Sequence, residues 1–263
     1  MIRWDEISDQ VSVATIDRPE RRNALNAELC GELRERLENS HQLRAIVITG
    51  EGTAFCAGAD IARRADDNAR SPAASGGLEH GGGDTFRPAF ELLLDAIVDH
   101  PAPVIAAING PALGAGLQLA VACDFRVVAD HAKLGIPAAR LGIVLSASNV
   151  RRLALLVGHA AARDLLLTGR AIDVEEAKTM GLVSRHGSDA KAAAIHLARE
   201  LAALAPLTVK GHKRALNLVM AQGDPEAADV ELRALEDAAF LSDDLQEGLK
   251  AFSEKREPLF GGT

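Results

Sequence analysis

Two stretches of this sequence place small residues where a ligand would meet the backbone. The first is Ala54-Phe55-Cys56-Ala57-Gly58-Ala59-Asp60, directly after an apolar run at residues 45–49. The second is Asn109-Gly110-Pro111-Ala112-Leu113-Gly114-Ala115-Gly116-Leu117-Gln118, after another at residues 104–108. In each, a strand pattern ends, small side chains follow and a helical pattern begins. Small residues let a ligand approach the chain closely, and the free N–H groups of a first helical turn attract negative charge. Two such amides converging on one point form an oxyanion hole for a carbonyl whose oxygen gains charge. Neither stretch has the Gly-x-Gly-x-x-Gly or P-loop spacing of a phosphate site. Each alone reads equally as a tight turn.

Groups able to move protons are sparse nearby. Asp60 ends the first turn and reads as a cap for the helix start. Glu79, His80 and Asp84 lie in a glycine-rich stretch from which they could swing over a bound group, and Glu91 begins the next helical pattern and could face the cavity. The ordinary reading of such charges is solvation. His131, His159, His186 and His212 are scattered without ligand spacing, and Cys30, Cys56 and Cys123 stand singly. That cysteine usage fits a reduced, intracellular setting.

The elements that must carry these turns are legible from periodicity. Residues 11–16 alternate as a half-buried strand does, and residues 45–50, 104–108 and 125–128 are short apolar runs of buried-strand type. Asn26 is placed to cap a helix through Leu29, Leu33 and Leu37. Helical patterns between the strands imply a layered α/β body. From about Ala190, helical segments at 190–204, 207–221, 225–241 and 243–255 follow one another, with Pro206 and Pro225 near helix starts. The expected division is therefore residues 1–195 as the body and 196–263 as a helical C-terminal region. Residues 62–85, rich in Gly, Ala, Ser and Asp, read as a mobile loop or a lid.

Composition narrows the function. The chain has 263 residues, 48% of them hydrophobic, enough for a full core, and carries a net charge of −8. No basic excess exists to neutralise duplex phosphates, and aromatics at 3% leave few stacking platforms for single strands. No apolar run reaches the roughly 18 residues of a membrane span. The amino terminus is acidic where a signal peptide would be basic, so a cytoplasmic location is expected.

Several motifs, in order along the chain, resemble the enoyl-CoA hydratase/isomerase (crotonase) family. Asp17-Arg18-Pro19-Glu20-Arg21-Arg22-Asn23-Ala24-Leu25-Asn26 resembles its opening motif, and the two turns above resemble its oxyanion-hole turns. The segments around Thr168-Gly169-Arg170, Gly181-Leu182-Val183 and Ala251-Phe252-Ser253-Glu254-Lys255-Arg256 resemble its later elements. The likeness covers about residues 10–260. It implies a ClpP/crotonase-like spiral of strand–strand–helix repeats, a C-terminal helical trimerisation region, and a homotrimer or hexamer. By the same resemblance, the amides of Ala59 and Ala115 hold a thioester oxygen. Ala24, Leu25, Ala57, Gly58, Asp60 and Ile61 line the coenzyme A groove, Arg21 or Arg22 lies near the phosphates, and Phe252 and Lys255 reach the coenzyme A end. Phe252 reads equally as core and Lys255 as a solvated charge. No separate cofactor is implied, since coenzyme A is part of the substrate.

Hydration of a conjugated thioester needs a base for water and an acid for the α-carbon, work usually shared by two carboxylates. Where the family's hydratases have those glutamates, this sequence has Gln118 and Ala138. Where some isomerases and a dehalogenase have an aspartate, it has Ser146. A carboxamide can orient water but does not deprotonate it near neutral pH. Three functions are therefore expected in competition. These are an acyl-CoA-binding family member with weak or absent 2-enoyl-CoA hydration, an active hydratase or other crotonase-type enolate chemistry using a lid acid or substrate-assisted proton transfer, and a non-catalytic acyl-CoA carrier.

Overall fold

The structure, a computed structural model, describes residues 1–60, 85–221 and 225–263, the side chains of 225–227 excepted. Ile61, Glu79, His80, Asp84 and all but the last residue of the anticipated lid stretch lie outside the described residues.

β1 (Ile2–Ser8) and β2 (Val11–Ile16) form an antiparallel hairpin. β3 (Ala45–Gly50), β4 (Val104–Ile108), β6 (Phe125–Ala129) and β9 (Arg185–Gly187) extend it in parallel, giving a six-stranded sheet of order β1-β2-β3-β4-β6-β9. The runs at β3 and β4 are apolar but for Thr49, whose hydroxyl donates to the Ala107 carbonyl at 2.9 Å, because both faces of the sheet are covered. Ile46, Ile48, Val104, Ala106 and Ile108 point into the larger core, while Ala45, Val47, Ile105 and Ala107 point to the opposite face. A second, three-stranded sheet joins β5 (Ala112–Leu113), β7 (Leu134–Gly135) and β8 (Ala171–Ile172). The sequence reading did not anticipate these two-residue strands, which are too short to show a period.

Over the first face lie α1 (Ala27–Glu38), α2 (Phe86–Asp99), α3 (Ala115–Ala122) and α4 (Ala147–Thr168), the last interrupted at Gly158 with φ 77°. Asn26 caps α1 as expected, accepting the Leu29 N–H at 2.9 Å. The short helix α5 (Val174–Thr179) follows β8, capped by Asp173. On the opposite face α6 (Ala190–Ala202) buries Ala190, Ala194, Leu197, Ala198 and Ala202 against β2, β3, β4 and β6. Residue 195, the expected division, lies within α6.

α7 (Pro206–Met220), α8 (Pro225–Phe240) and α9 (Asp243–Glu254) complete the chain, ending within one or two residues of expectation. Lys213 ties α7 to the body. Its buried ammonium donates to Asp124 Oδ2 at 2.7 Å and to the carbonyls of Ala102 and Ile97 at 3.1 and 3.2 Å. The carboxyl-terminal tail is held by Arg44, which donates to the Phe260 carbonyl at 3.0 Å, and by Asp244, which accepts the Gly261 and Gly262 N–H groups.

Candidate active site

The opening motif is a clamp. Asn23, fully buried at φ 58°, accepts the Arg18 N–H at 3.0 Å and donates to the carbonyls of Glu51 and Ala54 at 2.9 and 2.7 Å. Asparagine suits this left-handed position because its short amide can bond locally. The Arg18 guanidinium donates to the Ala24 carbonyl at 2.9 Å and pairs with Asp60 at 3.0 Å. Asp60 therefore braces the first turn against the opening motif.

That bracing orients the first turn. Leu25 donates to the Gly58 carbonyl and accepts the Asp60 N–H, both at 2.8 Å. Along an extended chain successive N–H groups alternate sides, so Ala59 turns its N–H away from Leu25. Among the described residues it meets no acceptor there. In the second turn, Leu113 donates to Cys56 and Gly114 to Gly135, each at 2.9 Å. Gly114 takes φ 55° and ψ −117°, a conformation open to glycine, and α3 starts immediately after it. Ala115 is the first residue of that helix, and its N–H likewise has no protein acceptor among the described residues.

The two turns touch. A Cβ built on Gly58 would lie 3.0 Å from the Leu113 carbonyl oxygen and 3.6 Å from the Ala115 nitrogen. One cavity of about 180 Å³ opens on both, bordered by Ala57, Gly58, Ala59, Gly114 and Ala115. Gln118, Ala138 and Ser146 border the same cavity, so the structure brings together all three positions that the resemblance marks for carboxylates. Ser146 also accepts the Asn149 N–H at 3.4 Å as the cap of α4. Larger cavities of about 610 and 720 Å³ lie among the C-terminal helices and between α7 and the body; neither includes either turn.

The residues expected around coenzyme A are less gathered. Ala57 and Gly58 border the cavity, Arg21 and Arg22 are exposed beside the clamp, and Ala24 is buried. Leu25 is fully buried, so it presents backbone rather than side chain. Phe252 and Lys255 lie exposed at the end of α9 and do not border this cavity. Burial pushes the Cys56 thiol up to about 12, so it packs rather than acting as a nucleophile.

Of the two readings open for Glu91, solvated or facing the cavity, the structure shows the second. Glu91 borders the site, with Oε1 accepting from Asn149 Nδ2 at 3.0 Å and Oε2 from the Ser148 hydroxyl at 3.2 Å. The available signal was its position beside Phe90 on an amphipathic helix whose buried stripe is Phe90, Leu93, Leu94 and Ile97. Periodicity placed it at the stripe's margin but did not say what faces that margin.

The sequence model of the Enoyl-CoA hydratase/isomerase family matches residues 6–263. The chain belongs to the enoyl-CoA hydratase/isomerase family. It is 41% identical over 265 residues to a Mycobacterium tuberculosis protein named "Probable enoyl-CoA hydratase echA6", covering 98% of this chain and 99% of that one. It is 36% identical over 261 residues to YngF of Bacillus subtilis, covering 97% and 96%. Among solved structures, the enoyl-CoA hydratase of Bacillus anthracis superimposes with a TM-score of 0.85 at 33% identity, covering 100% of this chain and 99% of that chain. The crotonase fold with its helical C-terminal region is thereby established. Among the described residues, no single helix is long and apolar enough to cross a membrane.

Contact between the turns in this enoyl-CoA hydratase/isomerase family member depends on Gly116. A Cβ there would sit 2.2 Å from the Cys56 carbonyl oxygen, which is backbone and has little room to yield. Gly116→Ala is therefore expected to separate the turns and destabilise the fold by roughly 1–3 kcal/mol, the usual range for overpacking. A lowered urea midpoint checks this. An unchanged midpoint would mean that α3 shifts freely against the first turn.

Proposed function

We propose that the protein binds an acyl-CoA thioester, of medium or long acyl chain, with its carbonyl oxygen on the amides of Ala59 and Ala115, and that it hydrates 2-enoyl-CoA slowly or not at all. The observation that carries this reading is one cavity with two unclaimed N–H groups on touching turns, and with Gln118, Ala138 and Ser146 where the resemblance expects carboxylates. Donors preset in a partly dry site hold a polarised carbonyl well. Without a matched acid and base, binding that treats substrate and transition state alike gives affinity without turnover. Coenzyme A would enter as part of the substrate, with Arg21 or Arg22 near its phosphates and Phe252 and Lys255 supplied at its far end, the latter two from a neighbouring subunit.

Homotrimeric or hexameric assembly through residues 196–263 belongs to the same reading. It is supported by the large exposed apolar side chains on α7, α8 and α9, among them Leu216, Val219, Phe240, Leu249 and Phe252.

Titration with an acyl-CoA beside a crotonyl-CoA hydration assay on one preparation tests the proposal. Saturable binding with turnover well below about 1 per second is expected. A turnover number in the ordinary enzyme range of roughly 1–10³ per second would overturn it. A second reading, enolate chemistry without hydration, is favoured by one observation, the carboxylate of Glu91 at the cavity wall.

A further inference from the structure

We infer that Glu91 is the proton-transfer group of this cavity, acting on carbons next to the thioester from a helix opposite the oxyanion turns. The inference rests on the proposed acyl-CoA reading. Among the described residues bordering the cavity, Glu91 alone carries a carboxylate, and the wall beside it combines apolar Phe86, Phe90, Val144 and Leu145 with Arg87, one turn earlier on α2.

Its placement is built rather than incidental. Asn149 is 5% exposed and holds Glu91 through Nδ2, while its Oδ1 accepts from Arg152 Nη1 at 3.0 Å. That second bond sets which end of the amide faces Glu91. Arg152 is anchored in turn by Asp95, at 2.6 Å, one turn after Glu91 on α2. The ladder Asp95–Arg152–Asn149–Glu91 thus joins α2 to the first turn of α4 and aims the carboxylate from two rigid elements. Both donors to Glu91, the Asn149 amide and the Ser148 hydroxyl, are neutral. They orient the carboxylate through two neutral hydrogen bonds.

The step needs no co-reactant. For a 3-enoyl thioester held on the two amides, Glu91 removes a proton from C2. The C–H electron pair becomes the enolate, whose charge falls on the thioester oxygen, and Glu91 becomes the neutral acid. Returning the proton to C4 shifts the double bond to C2–C3 and restores the carboxylate. One carboxylate completes this cycle, whereas hydration must also activate a water.

The test uses 3-hexenoyl-CoA with the full chain in D₂O, following conjugated product by absorbance and deuterium by mass spectrometry, beside an acyl-CoA titration. The wild-type protein should bind the thioester, form 2-hexenoyl-CoA and incorporate deuterium. Glu91→Gln, able to keep both hydrogen bonds, should bind within about threefold of wild type while conversion falls roughly 10²–10⁴-fold, the usual contribution of a general base. Glu91→Asp, which keeps the charge one methylene back, should fall between them. Asn149→Ala should lower kcat with KM little changed, as expected for a positioning residue. Binding without conversion or exchange by wild type overturns the inference alone, as does full activity in Glu91→Gln or Glu91→Asp activity no higher than that of Glu91→Gln. Absence of saturable binding overturns the acyl-CoA reading, and the inference with it.

Discussion

A Gln118→Glu, Ala138→Glu double variant is expected to hydrate crotonyl-CoA at least about 10²–10⁴ times faster than the parent protein. In hydration, the water oxygen adds to C3 while a base takes its proton, and an acid delivers a proton to C2. In the proposed reading, the negative charge that passes onto the thioester oxygen is met by the amides of Ala59 and Ala115. By that reading the parent cavity holds the oxygen, but its Gln118 carboxamide can only orient the water, and the Ala138 side chain offers no polar atom. Gln118→Glu is nearly isosteric and isolates the base. Ala138→Glu adds bulk to a cavity of about 180 Å³ and brings a further negative charge near Glu91, so the carboxyl groups should raise one another's pKa. The comparison is therefore made as a pH–rate profile at saturating substrate, beside a binding titration. A variant that binds like its parent yet hydrates no faster across the profile would show that the missing carboxylates do not limit this protein.

Lys213→Met is expected to destabilise the fold by about 3–5 kcal/mol, because it leaves the carboxylate of Asp124 buried without its cation. Burial alone pushes the Asp124 carboxyl above its ordinary pKa, and the Lys213 charge and hydrogen bond oppose that shift. Asp124 also accepts the Val104 N–H at 2.7 Å, so its charge sits at the start of a central strand. Adding Asp124→Asn to Lys213→Met should recover much of the loss, since an amide can still accept from Val104 and carries no charge. Urea unfolding of the parent, the single variant and the double variant measures this directly. If Lys213→Met shifts the midpoint no more than an exposed lysine substitution would, the ion pair does not hold α7 to the body. If the double variant is no better than the single one, the loss is not that of an orphaned charge.

The strands at residues 45–50 and 104–108 were legible because a buried parallel strand must be apolar on both faces. The helices from α6 onward were legible because their apolar residues recur with helical spacing. Both turns were legible because close backbone approach demands Gly and Ala, and Gly116, where a Cβ would lie 2.2 Å from the Cys56 carbonyl oxygen, shows how strict that demand is. The three positions expected to lack carboxylates also came from sequence, and the structure gathers them around one cavity.

Other features depended on contacts between distant segments, which local pattern does not encode. The strands β5, β7 and β8 exist only because three short segments meet across the chain. The pairing of Arg18 with Asp60, 42 residues later, is such a contact. That α6 closes the second face of the sheet depends on the sheet it meets, not on the helix alone. Glu91 is the plainest case. Its own helix assigns it to the margin of a buried stripe, and whether that margin meets water or a cavity depends on Ser148 and Asn149, 57 and 58 residues away. Sequence alone thus determined the family, the sheet-forming runs and the small-residue make-up of the two turns, since each is written in residue type and local spacing. The tertiary structure decided which charges face the cavity, since that follows from how separate helices pack.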